Sequence, residues 1–236
     1  MFLTMLGVNG PYPSAGGACS SYLVTSDSGK TNVVLDLGSG SLGRLMSEIG
    51  DLHKLDALIF SHLHYDHMSD ALPLMYALDF TDIVSLKTIC PDTPAMNRKL
   101  LAGKLDCYPP RDLTVGEMKI EFIPVKHPVE TYAVKIICDG ATLVYTADTN
   151  ECDLLHLFAS GCDTLLADCG LSDEDYTKSK PHLSPKTCGE LAMECKAKNL
   201  ILTHLSPRYE PEALLDACLE VCPYAELAQA GLRVRV

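Results

Sequence analysis

The segment His62-Leu63-His64-Tyr65-Asp66-His67 places three of the chain's eight histidines and an aspartate within six residues. Imidazole and carboxylate are the ligand types of zinc and of other first-row divalent ions. The segment directly follows an apolar run at residues 57–61. On an extended chain His62 and His64, two apart, can point to one side and share one ion. Asp66 and His67 fall where the chain turns toward a helix. A catalytic zinc ion usually takes three protein ligands and keeps one position open, so four such residues in one segment exceed the needs of one ion and imply two. Further ligands are expected just past the C-terminal ends of apolar strands, the edge where α/β proteins usually place their sites. His127, Asp148 and His204 meet that condition.

The elements that must hold these residues are legible as hydrophobic patterns. Strand-like runs occupy residues 2–8, 21–25, 32–37, 57–61, 83–89, 118–125, 132–138, 142–146, 164–168, 200–203 and 232–236. Helical patterns occupy 42–49, 69–78, 151–159, 185–198 and 211–221, the last two opening on Pro185 and Pro211 at the first helical position. The helix at 69–78, with Met68, Leu72, Met75 and Tyr76, reads as core. From about Leu113 the strand-then-helix order repeats with no Ser/Gly-rich linker, so one domain over residues 1–236 with two similar halves is expected. Gly38-Ser39-Gly40-Ser41-Leu42-Gly43 formally matches a dinucleotide-binding fingerprint, but the next strand ends in histidines instead of an acidic residue. It reads as a tight strand-to-helix turn with Ser41 as N-cap, which leaves Asp36 free for another task.

With 236 residues, 47% hydrophobic and 21% charged, the chain can build a sizeable core, and disorder, collagen and coiled coil are excluded. Nineteen Lys and Arg against 31 Asp and Glu give a net charge of −12. A broad basic surface for nucleic acid is therefore not expected, while a small anionic substrate held locally is compatible. Eleven cysteines, an odd number without any Cys-x-x-Cys pair, read as reduced thiols, with Cys218 and Cys222 as buried apolar residues on a helix. Residues 1–8 lack a basic start and soon meet Asn9, Gly10 and Pro11, and no apolar run approaches the ~18 residues that span a membrane. A cytoplasmic location without membrane contact is the expectation.

Taken together, the motifs resemble the metallo-β-lactamase superfamily and, within it, the ribonuclease-Z-like metal-dependent hydrolases. The resemblance rests on Gly7 to Gly17 ahead of a strand, Leu35-Asp36-Leu37-Gly38-Ser39-Gly40, the histidine motif, Lys126-His127-Pro128, Tyr145-Thr146-Ala147-Asp148-Thr149, His182-Leu183-Ser184, and Leu202 to Tyr209. It covers nearly the whole chain and implies an α/β (α+β) fold, the αββα four-layer sandwich of two face-to-face mixed β-sheets with helices outside. It also implies two divalent metal ions, zinc first, although manganese or iron suits the same ligands. On this resemblance His62, His64 and His127 would hold one ion, Asp66, His67 and His204 the other, and the Asp148 carboxylate would bridge both. His182 matches the family's histidine that contacts phosphate and can act as general acid, so His182, Asp66 and Asp148 are the expected catalytic residues. Ligating imidazoles usually donate their second nitrogen to a carboxylate or carbonyl, and Asp36 and Asp168, each at a strand end, are the candidates. Arg208 and Tyr209 are candidates for the cleft, whereas His53 and His156 lie outside every motif and read as surface or helix residues.

Departures from relatives narrow the substrate. The third histidine stands in Val125-Lys126-His127-Pro128, not in the Thr-Pro-Gly-His run of the thioester and lactone hydrolases. Lactam-cleaving relatives carry a cysteine where Asp148 stands, and the diiron flavoproteins replace the second histidine by Glu. Ala147 takes the place of the glycine usual in ribonuclease Z. That family also inserts a tRNA-gripping arm between the third histidine and the bridging aspartate, whereas 20 residues separate His127 from Asp148 here. The expected function is hydrolysis of a small-molecule phosphodiester by a hydroxide held between the ions. Nucleic acid is not the expected partner, and a homodimer is compatible. The alternatives are tRNA 3′-processing of the ribonuclease Z type and a non-catalytic metal-binding scaffold.

Overall fold

The computed structural model describes residues 1–236. Its strands are β1 (Phe2–Gly7), β2 (Ser21–Thr25), β3 (Asn32–Leu35), β4 (Ala57–Ile59), β5 (Leu86–Ile89), β6 (Leu105–Tyr108), β7 (Leu113–Val115), β8 (Met118–Pro124), β9 (Tyr132–Cys138), β10 (Ala141–Tyr145), β11 (Thr164–Asp168), β12 (Asn199–Thr203), β13 (Ala225–Leu227) and β14 (Arg233–Arg235). The helices are α1 (Leu42–Ile49), α2 (Tyr65–Met68), α3 (Ala71–Leu78), α4 (Ala95–Leu100), α5 (Asp153–Ala159), α6 (Pro185–Cys195) and α7 (Pro211–Leu219). They form two seven-stranded sheets, ordered β14-β1-β2-β3-β4-β5-β6 and β13-β12-β11-β10-β9-β8-β7. Both sheets are mixed: β3 to β6 and β10 to β13 run parallel, and the remaining pairings are antiparallel. The two halves of the chain thus make one sheet each, with one exchange. The C-terminal strand β14 returns to the first sheet and pairs Val234 with Leu3 of β1.

Strands buried on both faces explain the near-continuous apolar runs in the sequence. Between the sheets, Leu3, Met5, Tyr22, Val33, Leu35 and Ile59 meet Met118, Ile120, Val134, Ile136, Tyr145 and Leu166. On the outer face of the first sheet Leu45, Ile49, Leu74 and Leu78 from α1 and α3 cover Val34, Leu58 and Phe60. On the outer face of the second, Leu155, Cys188, Leu191, Cys195, Leu214 and Cys218 from α5, α6 and α7 cover Val144, Leu165, Leu200 and Leu202. The result is the αββα sandwich. The buried positions of α6, Cys188, Leu191, Ala192 and Cys195, follow the 3–4 spacing of one helical face. All eleven cysteines are free thiols, and Cys218 and Cys222 lie in the core.

Several boundaries differ from expectation for identifiable reasons. α6 stops at Cys195, not at 198, because Lys196 takes a left-handed conformation (φ 56°) and Ala197 N–H bonds back to the Ala192 carbonyl, a Schellman-type closure. Ser41 sits at the N-cap of α1 but its hydroxyl donates to the Gly38 carbonyl; the capping carboxylate is Asp70, which accepts from Leu42 N–H at 2.8 Å. α3 buries Ala71, Leu74 and Leu78, while Leu72 and Tyr76 are exposed, so only one of its faces is core. The glycine turn after β3 packs against backbone: a Cβ on Gly38 would meet the Asp66 carbonyl oxygen at 2.0 Å. That contact seats the turn on the histidine segment and accounts for its glycine without a nucleotide.

Candidate metal centre

C-terminal strand ends of both sheets deliver the chemistry-bearing residues along one edge of the sandwich. Asp36 follows β3, His62 follows β4, Asp148 follows β10, Asp168 ends β11 and His204 follows β12. Asp36, Ala147 and His204 all adopt φ 55°, a left-handed turn that ends the strand abruptly and costs an L-residue roughly 1–2 kcal/mol. α2 begins right after His64 and carries Asp66 and His67 back toward the same edge. His127 arrives from the loop after β8.

Three groups of donor atoms result, each with all its atoms within 4.8 Å of one another. The first contains His62, His64, His127 and Asp148, the second Asp66, His67, Asp148 and His204, and the third Asp148, Asp168, His182 and His204, in which Asp168 and His182 are hydrogen-bonded to each other. In the first, His64 Nδ1 lies 3.1 Å from His62 Nε2 and 3.2 Å from His127 Nε2, and Asp148 Oδ2 lies 3.7 Å from His62 Nε2. In the second, His67 Nε2 lies 3.6 Å from Asp66 Oδ2 and 3.3 Å from Asp148 Oδ1, and His204 Nε2 lies 3.9 Å from Asp66 Oδ2. The two Asp148 oxygens therefore face different groups.

The donor set fits metal on a physical test. Five buried side-chain polar atoms lack a hydrogen-bond partner, and three of them are His67 Nε2, Asp148 Oδ1 and His204 Nε2. An unsatisfied buried polar atom costs roughly 1–3 kcal/mol, which ligation would remove. Burial holds His62, His64, His127 and His204 below the usual imidazole range, His127 at about 4, so these rings are neutral as ligation requires. For His67 burial opposes charge, but Asp148, Asp36 and Asp66 outweigh it and raise the imidazole, a sign that the carboxylates call for positive charge there. Burial pushes Asp66 up to about 6.

The second nitrogens of His62, His67, His127 and His204 are held as well. Asp36 Oδ2 accepts from His67 Nδ1 (2.8 Å), Ser61 Oγ (2.7 Å) and Tyr145 OH (2.8 Å), and Oδ1 accepts from Ser61 N–H (2.7 Å). Ser61 Oγ, already donating, accepts from His62 Nδ1 at 3.0 Å. Asp36 thus sets the tautomers of His67 directly and of His62 through Ser61. His127 Nδ1 donates to the Pro181 carbonyl (3.2 Å), and His204 Nδ1 lies 3.1 Å from Ser20 Oγ. Asp168 corrects the expectation: it holds His182, not one of the expected ligand imidazoles, because the turn after β11 brings its carboxylate to His182 Nδ1 (3.0 Å) while Thr149 and Gly170 N–H also bond it. His182 stacks on His204, with ring centroids 5.0 Å apart, and no protein group is hydrogen-bonded to its Nε2.

Some expected residues stay outside. Arg208 is exposed beside the Tyr209 ring, and Tyr209 OH donates to Asp175, so neither joins the donor groups. His53 and His156 bond surface carboxylates. Ser20 and Ser61 carry no signal in the sequence, and Tyr145 and Gly10 stand there inside longer motifs without a role of their own. A Cβ on Gly10 would lie 2.0 Å from the His204 ring, so only glycine leaves that imidazole its room.

Comparisons with known proteins agree with this architecture. Residues 31–205, which contain every donor from Asp36 to His204, match the family described as beta-lactamase superfamily domain. The probable metallo-hydrolase YhfI of Bacillus subtilis is 33% identical over 216 residues, covering 87% of each chain. Ribonuclease Z of Methanopyrus kandleri is 24% identical over 278 residues, covering 100% of this chain and 98% of the relative. The crystal structure of YhfI superposes with a TM-score of 0.91 at 30% identity, covering 99% and 98% of the two chains. Human short-form tRNase Z shares the fold with a TM-score of 0.79 at 18% identity, covering 100% and 99%. From its matched motifs and its fold, the chain belongs to the beta-lactamase superfamily.

Proposed function

We propose that the protein is a dinuclear metal-dependent hydrolase, most naturally a zinc enzyme, acting on a small phosphodiester. The observation that carries the reading is the first two donor groups, which share Asp148, with the hydrogen-bonded His182–Asp168 pair of the third beside them. Bound divalent ions supply ionised water at neutral pH and neutralise charge on a phosphoryl group. The chain's own residues do the rest. Asp36 and Ser61 hold the His62 and His67 rings with Nε2 toward the metal groups, and Asp148 offers one oxygen to each. His182 is the general acid. Burial works against its charge, but the Asp168 carboxylate and its hydrogen bond outweigh burial and lift the imidazole to about 9, so a proton is available at neutral pH. Nδ1–H stays on Asp168, and Nε2–H passes its proton to the departing alkoxide oxygen.

Turnover across phosphodiesters, carboxyl esters, thioesters and lactams tests the proposal, alongside elemental analysis for about two ions per chain. Phosphodiester hydrolysis should dominate, and His182→Ala should keep the metal while slowing poor leaving groups most, by roughly 10²–10⁴-fold. Turnover of another ester class alone, or a stoichiometry near one that added zinc or manganese does not raise, would reject it. Ribonuclease Z of Methanopyrus kandleri, similar over the whole chain, makes 3′-end cleavage of pre-tRNA the second substrate to assay.

A further inference from the structure

Residues 171–183 connect β11 to α6 and carry His182, yet they contain no helix or strand, and Asp173, Glu174, Thr177, Lys178 and Ser179 are exposed. Such a polar segment has little apolar surface to anchor it, so hydrogen bonds must set its position. Leu171 N–H donates to the Leu183 carbonyl (3.2 Å) and closes its base. Its outer part is tied from three places. Asn150 Nδ2 donates to the carbonyls of Thr177 (3.0 Å) and Lys180 (2.5 Å), the Lys126 ammonium donates to the Lys178 carbonyl (2.7 Å), and Tyr209 OH donates to Asp175 (2.7 Å). Each tie grows from a stretch that also carries a metal-group residue: Lys126 precedes His127, Asn150 is two beyond Asp148, and Tyr209 is five beyond His204. In return, the segment gives its Pro181 carbonyl to His127 Nδ1.

Asn150 is the centre of these ties. It is 1% exposed, and its Oδ1 accepts from Glu151 N–H (2.7 Å) and Tyr176 OH (2.8 Å) while both amide protons are in use. Its own N–H donates to the Lys126 carbonyl, joining two of the three tethers. We infer that Asn150 is a positioning residue that pins segment 171–183 across the metal groups, so that metal loading and the placement of the His182 imidazole are coupled. This rests on the proposed metal-dependent reading of the site. Metal held by His127 fixes the ring that the Pro181 carbonyl grips, and a pinned segment keeps His127 in its ligating tautomer; by linkage each stabilises the other.

The test compares the wild type, Asn150→Asp, which keeps the shape but loses both donors, and Tyr176→Phe, which removes the hydroxyl's contacts with Asn150 Oδ1 and Glu151 Oε2 without a cavity. Trypsin cleavage after Lys178 is followed by mass spectrometry; Lys180 precedes Pro181 and is not cut. Zinc release to a chelator is measured on the same proteins. Zinc should protect the wild type from the cut. Asn150→Asp should speed both cutting and zinc release by about tenfold or more, with Tyr176→Phe shifted less in the same direction. Poor leaving groups should suffer more than good ones in both variants, as in His182→Ala. If Asn150→Asp fails to fold, Tyr176→Phe decides alone. Cutting and zinc release equal to wild type in the folded variants, or a wild-type cut that zinc does not slow, would overturn the inference. Absence of phosphodiester turnover with the cutting and zinc results as expected would count against the substrate reading and leave the coupling standing.

Discussion

Asp36 accepts four hydrogen bonds in a fully buried setting, and one of them comes from the opposite sheet, because Tyr145 sits at the end of β10 while Asp36 follows β3. Burial pushes the Tyr145 phenol far above its ordinary range, so it remains a donor. Tyr145→Phe removes one charge-assisted bond, worth roughly 1.5–3 kcal/mol, and leaves the ring packed on Tyr22. The expected outcome is zinc affinity lowered roughly 10–100-fold with the fold retained, read by chelator competition. Affinity equal to wild type would mean that Ser61 and His67 suffice to hold the carboxylate. The ligand types were legible in the sequence because metal chemistry restricts them to His and Asp, and because a strand end gives each a local marker. Tyr145, Ser20 and the Pro181 carbonyl were not legible, since each acts on a residue 54 to 184 positions away and is chemically ordinary until the fold brings it there.

At the level of elements, the strongly apolar strands and the helices with capping signals were readable, while the short polar ones were not. β6 (Leu105–Tyr108) and β13 (Ala225–Leu227) alternate with exposed charged residues on sheet edges, and α4 (Ala95–Leu100) has a single buried side chain, Asn97. Hydrophobic periodicity has little to report in such elements, because what holds them is pairing and tertiary contact. The end of α6 is similar: no residue in the sequence marks Lys196 as a left-handed closure, a place where glycine is the usual choice. Lys196 is exposed and has φ 56°. Lys196→Gly should therefore stabilise the fold by up to about 1 kcal/mol, since relief of left-handed strain exceeds glycine's added entropy cost. Denaturant unfolding measures this, and a midpoint shifted downward would show that the lysine side chain contributes more than its backbone costs.

Over the whole molecule, charge and connectivity bear on substrate choice together. Between His127 and Asp148 the chain makes only β9, a turn at Asp139 and Gly140, both with φ above 50°, and β10. The registers of Ala141 with Cys138 and Tyr145 with Val134 show a hairpin closed by a minimal turn, with no room for an inserted arm. A protein that grips tRNA neutralises several phosphates, and its affinity falls steeply as salt rises. Here 19 basic residues stand against 31 acidic ones, so such binding would need a basic surface assembled from two subunits. Purified protein should hydrolyse aryl or cyclic nucleotide phosphodiesters with little dependence on ionic strength and leave pre-tRNA essentially uncut. Chelation should abolish this turnover and lower the melting temperature, because metal binds only the folded form. Efficient cleavage at the 3′ end of pre-tRNA, sharply inhibited between 50 and about 200 mM salt, would reverse the ranking of substrates. In that case the protein's oligomeric state at assay concentration would have to supply the missing cations, and a monomer cutting pre-tRNA efficiently would leave the charge argument without support.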